Sequence, residues 1–241
     1  MIYVTGDTHG MHDIGKFDVF KKTRGEKLTK NDFIIVLGDF GVFWEPSLQG
    51  LAHPNELRLI KYYSDLPWTT LFLDGNHENF VRINEFPIID YNGGKVNKIN
   101  DSIYHLRRGE VYNINGKIIF TMGGALSIDK GRRIAYKSWW PEEEITSDEL
   151  KHGLATLKRF NNNVDYVLTH TVYESAIDEI REISGLNLSY KRDSSTVALQ
   201  AIKEVIEYKK WYCGHFHENM YIPDINGKLR LVYERIIPLG E

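Results

Sequence analysis

Five of the nine histidines in this 241-residue chain, His9, His77, His170, His215 and His217, stand at the C-terminal ends of apolar runs, whereas His12, His53, His105 and His152 fall elsewhere. Asp7, Asp39 and Asn76 occupy the same kind of position. Imidazole nitrogens mixed with carboxylate and amide oxygens suit borderline divalent or trivalent cations such as manganese, iron or zinc. The set lacks the thiolates of a structural zinc site and the oxygen-rich shell of calcium. It is too large for one catalytic ion with an open position, and two ions sharing one carboxylate fit it better.

The elements that must position these groups read as short buried strands, each broken near a glycine. Met1 to Thr5 leads to Gly6-Asp7-Thr8-His9-Gly10, Phe33 to Leu37 to Gly38-Asp39, and Leu71 to Leu73 to Asp74-Gly75-Asn76-His77-Glu78. Val164 to Leu168 ends in Thr169-His170, and Trp211-Tyr212-Cys213 in Gly214-His215-Phe216-His217. Two histidines one residue apart share a cleft only where the strand has stopped pleating, a freedom expected of Gly214. Helical spacing fills the intervals: Ile14 to Lys22, Pro54 to Ser64, a segment opened by the capping box Thr146 to Glu149 and running to about Phe160, and Ser194 to Tyr208. Strands alternating with helices make an α/β fold, in which ligands collect at the C-terminal ends of the strands.

The middle of the chain changes period. Strands at Lys95 to Ile99 and Ile103 to Leu106 precede a hairpin centred on Asn115-Gly116, and a second hairpin spans Tyr221 to Val232 around Asn226-Gly227. Between them Leu126 to Pro141 carries Arg132, Arg133, Lys137, Trp139 and Trp140. Two readings fit that loop: a clamp for an anionic substrate, or a solvated loop packed on its tryptophans. Phe40, Val42, Phe43 and Trp44 either wall a cleft or pack beneath the second strand's loop.

With 42% hydrophobic residues the chain can bury a sizeable core, and nothing resembling a linker or repeat divides residues 1–241, so one domain is expected. A net charge of -3 gives no general attraction to nucleic acid or membrane. The strand pattern begins at Ile2, leaving no room for a signal peptide, and no apolar run spans a bilayer. One cysteine, Cys213, permits no internal disulfide and suits a cytoplasmic protein.

Taken in order, Asp7-Thr8-His9, Gly38-Asp39, Gly75-Asn76-His77-Glu78, Thr169-His170 and Gly214-His215-Phe216-His217 resemble the five motifs of the calcineurin-like metallophosphoesterase superfamily. The resemblance implies a four-layer αββα sandwich with two facing mixed sheets. It implies that Asp7, His9 and His217 hold one metal, that Asn76, His170 and His215 hold the other, and that Asp39 bridges them. His77 would be a non-ligand that contacts the substrate phosphate or protonates the leaving group, with Glu78 a candidate for orienting its ring. The expected activity is hydrolysis of a small phosphorylated substrate, foremost a phosphomonoester, by a metal-bridging water or hydroxide. A phosphodiesterase acting on nucleotides or nucleic-acid ends is the alternative, and an inactive metal-holding scaffold is the rival from another class. Where the phosphoprotein phosphatases of that superfamily continue their Gly-Asp motif to Asp-Arg-Gly, this chain has Phe40-Gly41-Val42, so Arg132 or Arg133 is the candidate phosphate clamp.

Overall fold

The short apolar runs form strands and the amphipathic stretches form helices. In the computed structural model, which describes residues 1–45, 51–185, 192–223 and 227–241, the chain opens β1 (Ile2–Thr5), α1 (Gly15–Thr23), β2 (Phe33–Val36), α2 (Pro54–Ser64), β3 (Thr69–Phe72) and α3 (Phe80–Asn84). It continues through β4 (Ile88–Tyr91), β5 (Gly94–Asn100), β6 (Ile103–Leu106), β7 (Glu110–Ile114), β8 (Lys117–Met122), α4 (Ser147–Arg159) and β9 (Tyr166–Thr169). Last come α5 (Glu174–Ser184), α6 (Ser194–Lys203), β10 (Lys210–Cys213), β11 (Met220–Ile222), β12 (Leu229–Leu231) and β13 (Ile237–Pro238).

Two mixed sheets result, with strand orders β13-β1-β2-β3-β6-β5-β4 and β11-β12-β10-β9-β8-β7. In the first, β1, β2, β3 and β6 run parallel. In the second, β8, β9, β10 and β12 do. Antiparallel strands close the edges of both.

The period-2 alternation of side chains builds three cores from the two sheets. Val4, Ile35 and Leu71 meet Ile119, Leu168 and Tyr212 between the sheets. Their strand neighbours Tyr3, Ile34 and Phe72 turn outward onto Phe17 of α1 and Leu59 and Tyr63 of α2. On the other outer face, Phe120, Val167 and Trp211 pack on Leu157 of α4, Ile177 of α5 and Leu199 of α6. The layers are therefore helix, sheet, sheet, helix, as the resemblance implied. Burying each such large side chain contributes roughly 1.5–3 kcal/mol, so this layered burial is the main force holding the strand ends in place.

The capping box forms as read: Thr146 Oγ1 accepts from Glu149 N at 3.2 Å while Glu149 Oε2 accepts from Thr146 N at 2.8 Å. Asn115 and Gly116 both take left-handed φ values, 49° and 77°, at the β7–β8 hairpin. β11 and β12 pair antiparallel at the edge of the second sheet, though Asn226 of the expected turn lies outside the described residues. The last helix stops at Lys203 instead of reaching Tyr208. Ile206 and Tyr208 are buried in the outer core and Glu207 bridges to Asn163, so alternation, not helical spacing, governs those residues. β4 was not legible in the sequence because it is a half-exposed edge strand interrupted by Asp90.

Candidate metal centre

The turns that follow β1, β2, β3, β9 and β10 converge on one point. Thr8 N and His9 N donate to Asp39 O at 3.0 and 2.9 Å, which laces the first turn to the second. His77 N donates to Asp39 Oδ1 at 2.8 Å, His215 N to Asp7 Oδ1 at 3.0 Å, and Gly214 N to His170 O at 3.0 Å. His9, Asp39, His215 and His217 adopt left-handed backbone, with φ of 43°, 45°, 66° and 53°. Such a conformation costs a non-glycine residue on the order of 1–3 kcal/mol and persists where surrounding contacts impose it. Gly214 itself has no left-handed φ; the freedom expected of it is exercised by the histidines it precedes. Its glycine identity serves space instead, since a Cβ there would run into Asp7 Oδ1, as one at Gly75 would run into Asp39 Oδ1.

Among the described residues, three groups of donor atoms lie mutually within 4.8 Å: Asp7, His9 and His217; His9, Asp39 and His77; and Asp7, Asp39 and His170. His9 Nε2 is 3.3 Å from Asp39 Oδ2, and His170 Nε2 is 3.3 Å from Asp39 Oδ1 and 3.2 Å from Asn76 Oδ1. The outer nitrogens are already engaged. His9 Nδ1 sits 2.9 Å from Asp13 Oδ2, and His170 Nδ1 2.7 Å from Leu37 O. A main-chain carbonyl can only accept, so His170 Nδ1 carries the proton and Nε2 is left to point inward as a donor to a cation. His217 Nε2 approaches Asp7 Oδ2 to 3.0 Å, yet that fully buried oxygen makes no hydrogen bond. A buried carboxylate oxygen and an imidazole nitrogen this close without a hydrogen bond between them fit a shared metal better than they fit each other. His215 lines the same cavity with its ring 4.9 Å from that of His170, although its nitrogens fall outside the three groups.

The electrostatics agree with this placement. Burial opposes charge on Asp7 and Asp39, but His217 and His170 beside the first, and His170 and His9 beside the second, hold both carboxyls below their usual range, Asp39 far below. Burial likewise disfavours the imidazolium of His9 and of His170, and the carboxylate of Asp39 outweighs it and raises both to about 9. Burial and the neighbouring His170 push His215 down to about 3. Without a cation the centre thus takes up protons to offset its carboxylates, and a bound cation displaces them. Burial also lowers His77, aided by Arg133 and His9 against the pull of Asp39.

Several residues of the site carried no sequence signal. Ser127 accepts from Asn76 Nδ2 at 3.2 Å. Lys16 reaches from α1 to donate to the main-chain oxygens of Gly6, Asp7 and Tyr233 at 2.9, 2.7 and 2.8 Å, fixing the turn that carries Asp7. Tyr233 stacks on His217 with ring centres 4.5 Å apart. Glu78 does not orient His77; its carboxylate accepts from Phe40 N at 2.6 Å and from Gly41 N, buttressing the turn after β2. Phe40, Val42 and Phe43 are core residues, while Trp44 stacks on the His77 ring at 5.5 Å. Arg133 lies within the site, its Nη2 3.4 Å from His77 Nε2 and its Nε held by Asp129 at 2.9 Å. Arg132 is exposed and lines neither neighbouring cavity.

The chain belongs to the calcineurin-like phosphoesterase family, whose model matches residues 1–219. It is accordingly a metal-dependent phosphoesterase of a family with binuclear centres. No curated protein matches the sequence. Among solved structures the chain is similar to a protein of unknown function from Aquifex aeolicus at 16% identity, covering 86% of this chain and 87% of the other with a TM-score of 0.37. A putative 5'-nucleotidase from Staphylococcus aureus aligns at 14% identity and a TM-score of 0.49, over 96% of this chain but 48% of its own, so this chain spans about half of that protein. Phosphopantetheinyl hydrolase from Mycobacterium tuberculosis aligns at 14% identity and a TM-score of 0.43, covering 100% and 96%.

Proposed function

We propose that the chain is a binuclear metal-dependent phosphomonoesterase whose single domain spans residues 1–241. Asp39 carries the proposal, because its two carboxylate oxygens face different histidines, Oδ2 toward His9 and Oδ1 toward His170, each at 3.3 Å. A carboxylate so placed would join the two donor sets that the resemblance implies, Asp7, His9 and His217 on one side and Asn76, His170 and His215 on the other. Manganese, iron or zinc suits such nitrogen and oxygen donors. Bound there, two cations supply an activated water and neutralise charge on the phosphoryl oxygens.

The chain's own groups do the rest. The Arg133 guanidinium, oriented by Asp129 and by Ser138 O at 3.2 Å, presents donors to phosphate oxygens beside His77. His77 holds the phosphate or delivers a proton to the departing oxygen, its ring kept in place by Trp44, which in turn meets Trp140 edge-on at 5.2 Å. The buried free thiol of Cys213 agrees with a cytoplasmic setting, and no helix among the described residues is long and apolar enough to cross a membrane.

The test is a metal count by atomic emission after reconstitution with manganese, iron or zinc, joined to phosphate release from monoesters, diesters, nucleotides and phosphopeptides. Two metals per chain with monoester turnover is the expected result. One metal, or cleavage of diesters alone, would overturn it.

A further inference from the structure

Two cavities meet at His9 and His77. The smaller, about 280 Å³, contains Asp39, Asn76, His215, His217 and Arg133. The larger, about 580 Å³, extends past Met11, Trp44, Leu59 and Tyr233 and bears the carboxylates of Asp13 and Glu45. Its size is that of a cleft for a small organic ligand, typically about 300–1,000 Å³, and far exceeds what a phosphoryl group needs.

Its walls differ in kind from those of the smaller cavity. The Trp44 ring lies nearly parallel to that of His77, 28° between planes, and the Tyr233 ring nearly parallel to that of His217, 13° between planes, so two aromatic rings stacked on histidines of the centre line the cleft next to it. Among the described residues no lysine or arginine lines it; the Arg133 guanidinium belongs to the smaller cavity, and the Lys16 ammonium, 5.6 Å from the Tyr233 ring, is taken up by the main-chain oxygens of Gly6, Asp7 and Tyr233. Cation-rich walls would be needed to admit further phosphates or carboxylates, and Glu45 repels them, whereas the Asp13 carboxylate is paired with His9 Nδ1 at 2.9 Å and accepts from the Tyr233 hydroxyl at 3.3 Å.

We infer that this cleft is the subsite for the alcohol half of the substrate, and that it selects an alcohol with a planar apolar group and no negative charge of its own. The inference rests on the phosphomonoesterase reading. The phosphoryl group occupies the smaller cavity beside Arg133, and the ester oxygen lies at the junction, within reach of His77. Flat rings gain contact with Trp44, Leu59 and Tyr233. Nucleoside di- and triphosphates and carboxylated esters are disfavoured because their extra charge meets Glu45 and finds no lysine or arginine among the lining residues.

The experiment compares 2-naphthyl phosphate, 6-carboxy-2-naphthyl phosphate and methyl phosphate on the metal-loaded protein. The uncharged naphthyl ester should exceed its carboxylated analogue about tenfold or more in kcat/KM, and Glu45→Lys should narrow that gap. Trp44→Ala should lower the naphthyl-to-methyl preference by about tenfold, the scale of a lost pocket contact. Mere disturbance of His77 would move that ratio the other way, since methoxide needs a proton more than naphtholate does. A second arm needs no turnover: 2-naphthol, followed by its fluorescence anisotropy, should bind the protein, and 6-hydroxy-2-naphthoic acid should bind at least about tenfold more weakly. Equal turnover of the charged and uncharged naphthyl esters, or equal binding of the two naphthols, would overturn the subsite. Selective naphthol binding without hydrolysis of any ester would count against the phosphomonoesterase reading alone and leave the subsite standing.

Discussion

The side-chain amide of Asn76 donates to Ser127 Oγ at 3.2 Å, and this bond turns the Asn76 carbonyl oxygen toward His170. Ser127 is fixed in turn by Glu143, whose carboxylate accepts from Ser127 N and from Ser127 Oγ, both at 2.8 Å. The loop after β8 is therefore tied to the centre through a buried serine, in addition to whatever its basic residues do.

Loss of that tie is the first expectation. Groups that orient a metal ligand are typically worth about 10–100-fold in affinity, so Ser127→Ala should weaken by that order retention of the cation proposed to be held by Asn76. Competition with a graded series of chelators measures it. Retention equal to wild type would show that Asn76 keeps its orientation without Ser127.

Asp39→Asn should lower activity more than His217→Ala or any other single outer ligand. If Asp39 bridges as proposed, one carboxylate facing both His9 and His170 neutralises charge between two cations, so its removal weakens both sites at once. Metal content and turnover are read together. Two retained metals with near-normal turnover in Asp39→Asn would mean that this residue does not bridge.

Arg133 and Arg132 are adjacent in sequence but not equivalent in space. Arg133→Ala should cost about tenfold or more in kcat/KM with metal content intact, because a charge-assisted contact to phosphate is lost. Arg132→Ala should leave kinetics within experimental error. If the two substitutions behave alike, the placement of the Arg133 side chain beside His77 is not the one used in catalysis.

His77 separates phosphate holding from proton delivery. General acids are typically worth about 10²–10⁴-fold, and their worth scales with how badly the leaving oxygen needs a proton. His77→Ala should keep both metals, lose most activity on alkyl phosphates and lose much less on nitrophenyl phosphate, judged on the chemical step. An equal loss on both ester classes would leave His77 as a phosphate-binding group only.

The strand ends were legible because burial imposes a strong pattern. Phe33 to Val36 and Trp211 to Cys213 are apolar on both faces, and the break to Gly38-Asp39 or Gly214-His215 is abrupt. The Thr146 to Glu149 capping box and the Asn115-Gly116 turn were equally plain, since both are local hydrogen-bond and backbone chemistry. Helical spacing misled beyond Lys203, where Ile206 continues the i, i+4 interval from the buried Ile202 yet lies on an irregular connection after the helix has ended.

What the amino-acid sequence determined by itself was the inventory: which residues end the buried strands, that their donors suit a transition metal, and that five motifs in order match one superfamily. Those properties reside in neighbouring residues and in composition, so they survive without coordinates. Which atoms meet was decided only by the tertiary structure. Asp39 can address His9 and His170 together because β1 and β2 are neighbours in one sheet while the second sheet brings His170, 131 positions further along the chain (170 − 39), to the same end, and Arg133 rather than Arg132 lies in the site, its guanidinium held by Asp129. Ser127, Lys16, Trp44 and Tyr233 have no motif of their own. Their roles arise from distances between segments far apart in the chain, and no local pattern encodes such distances.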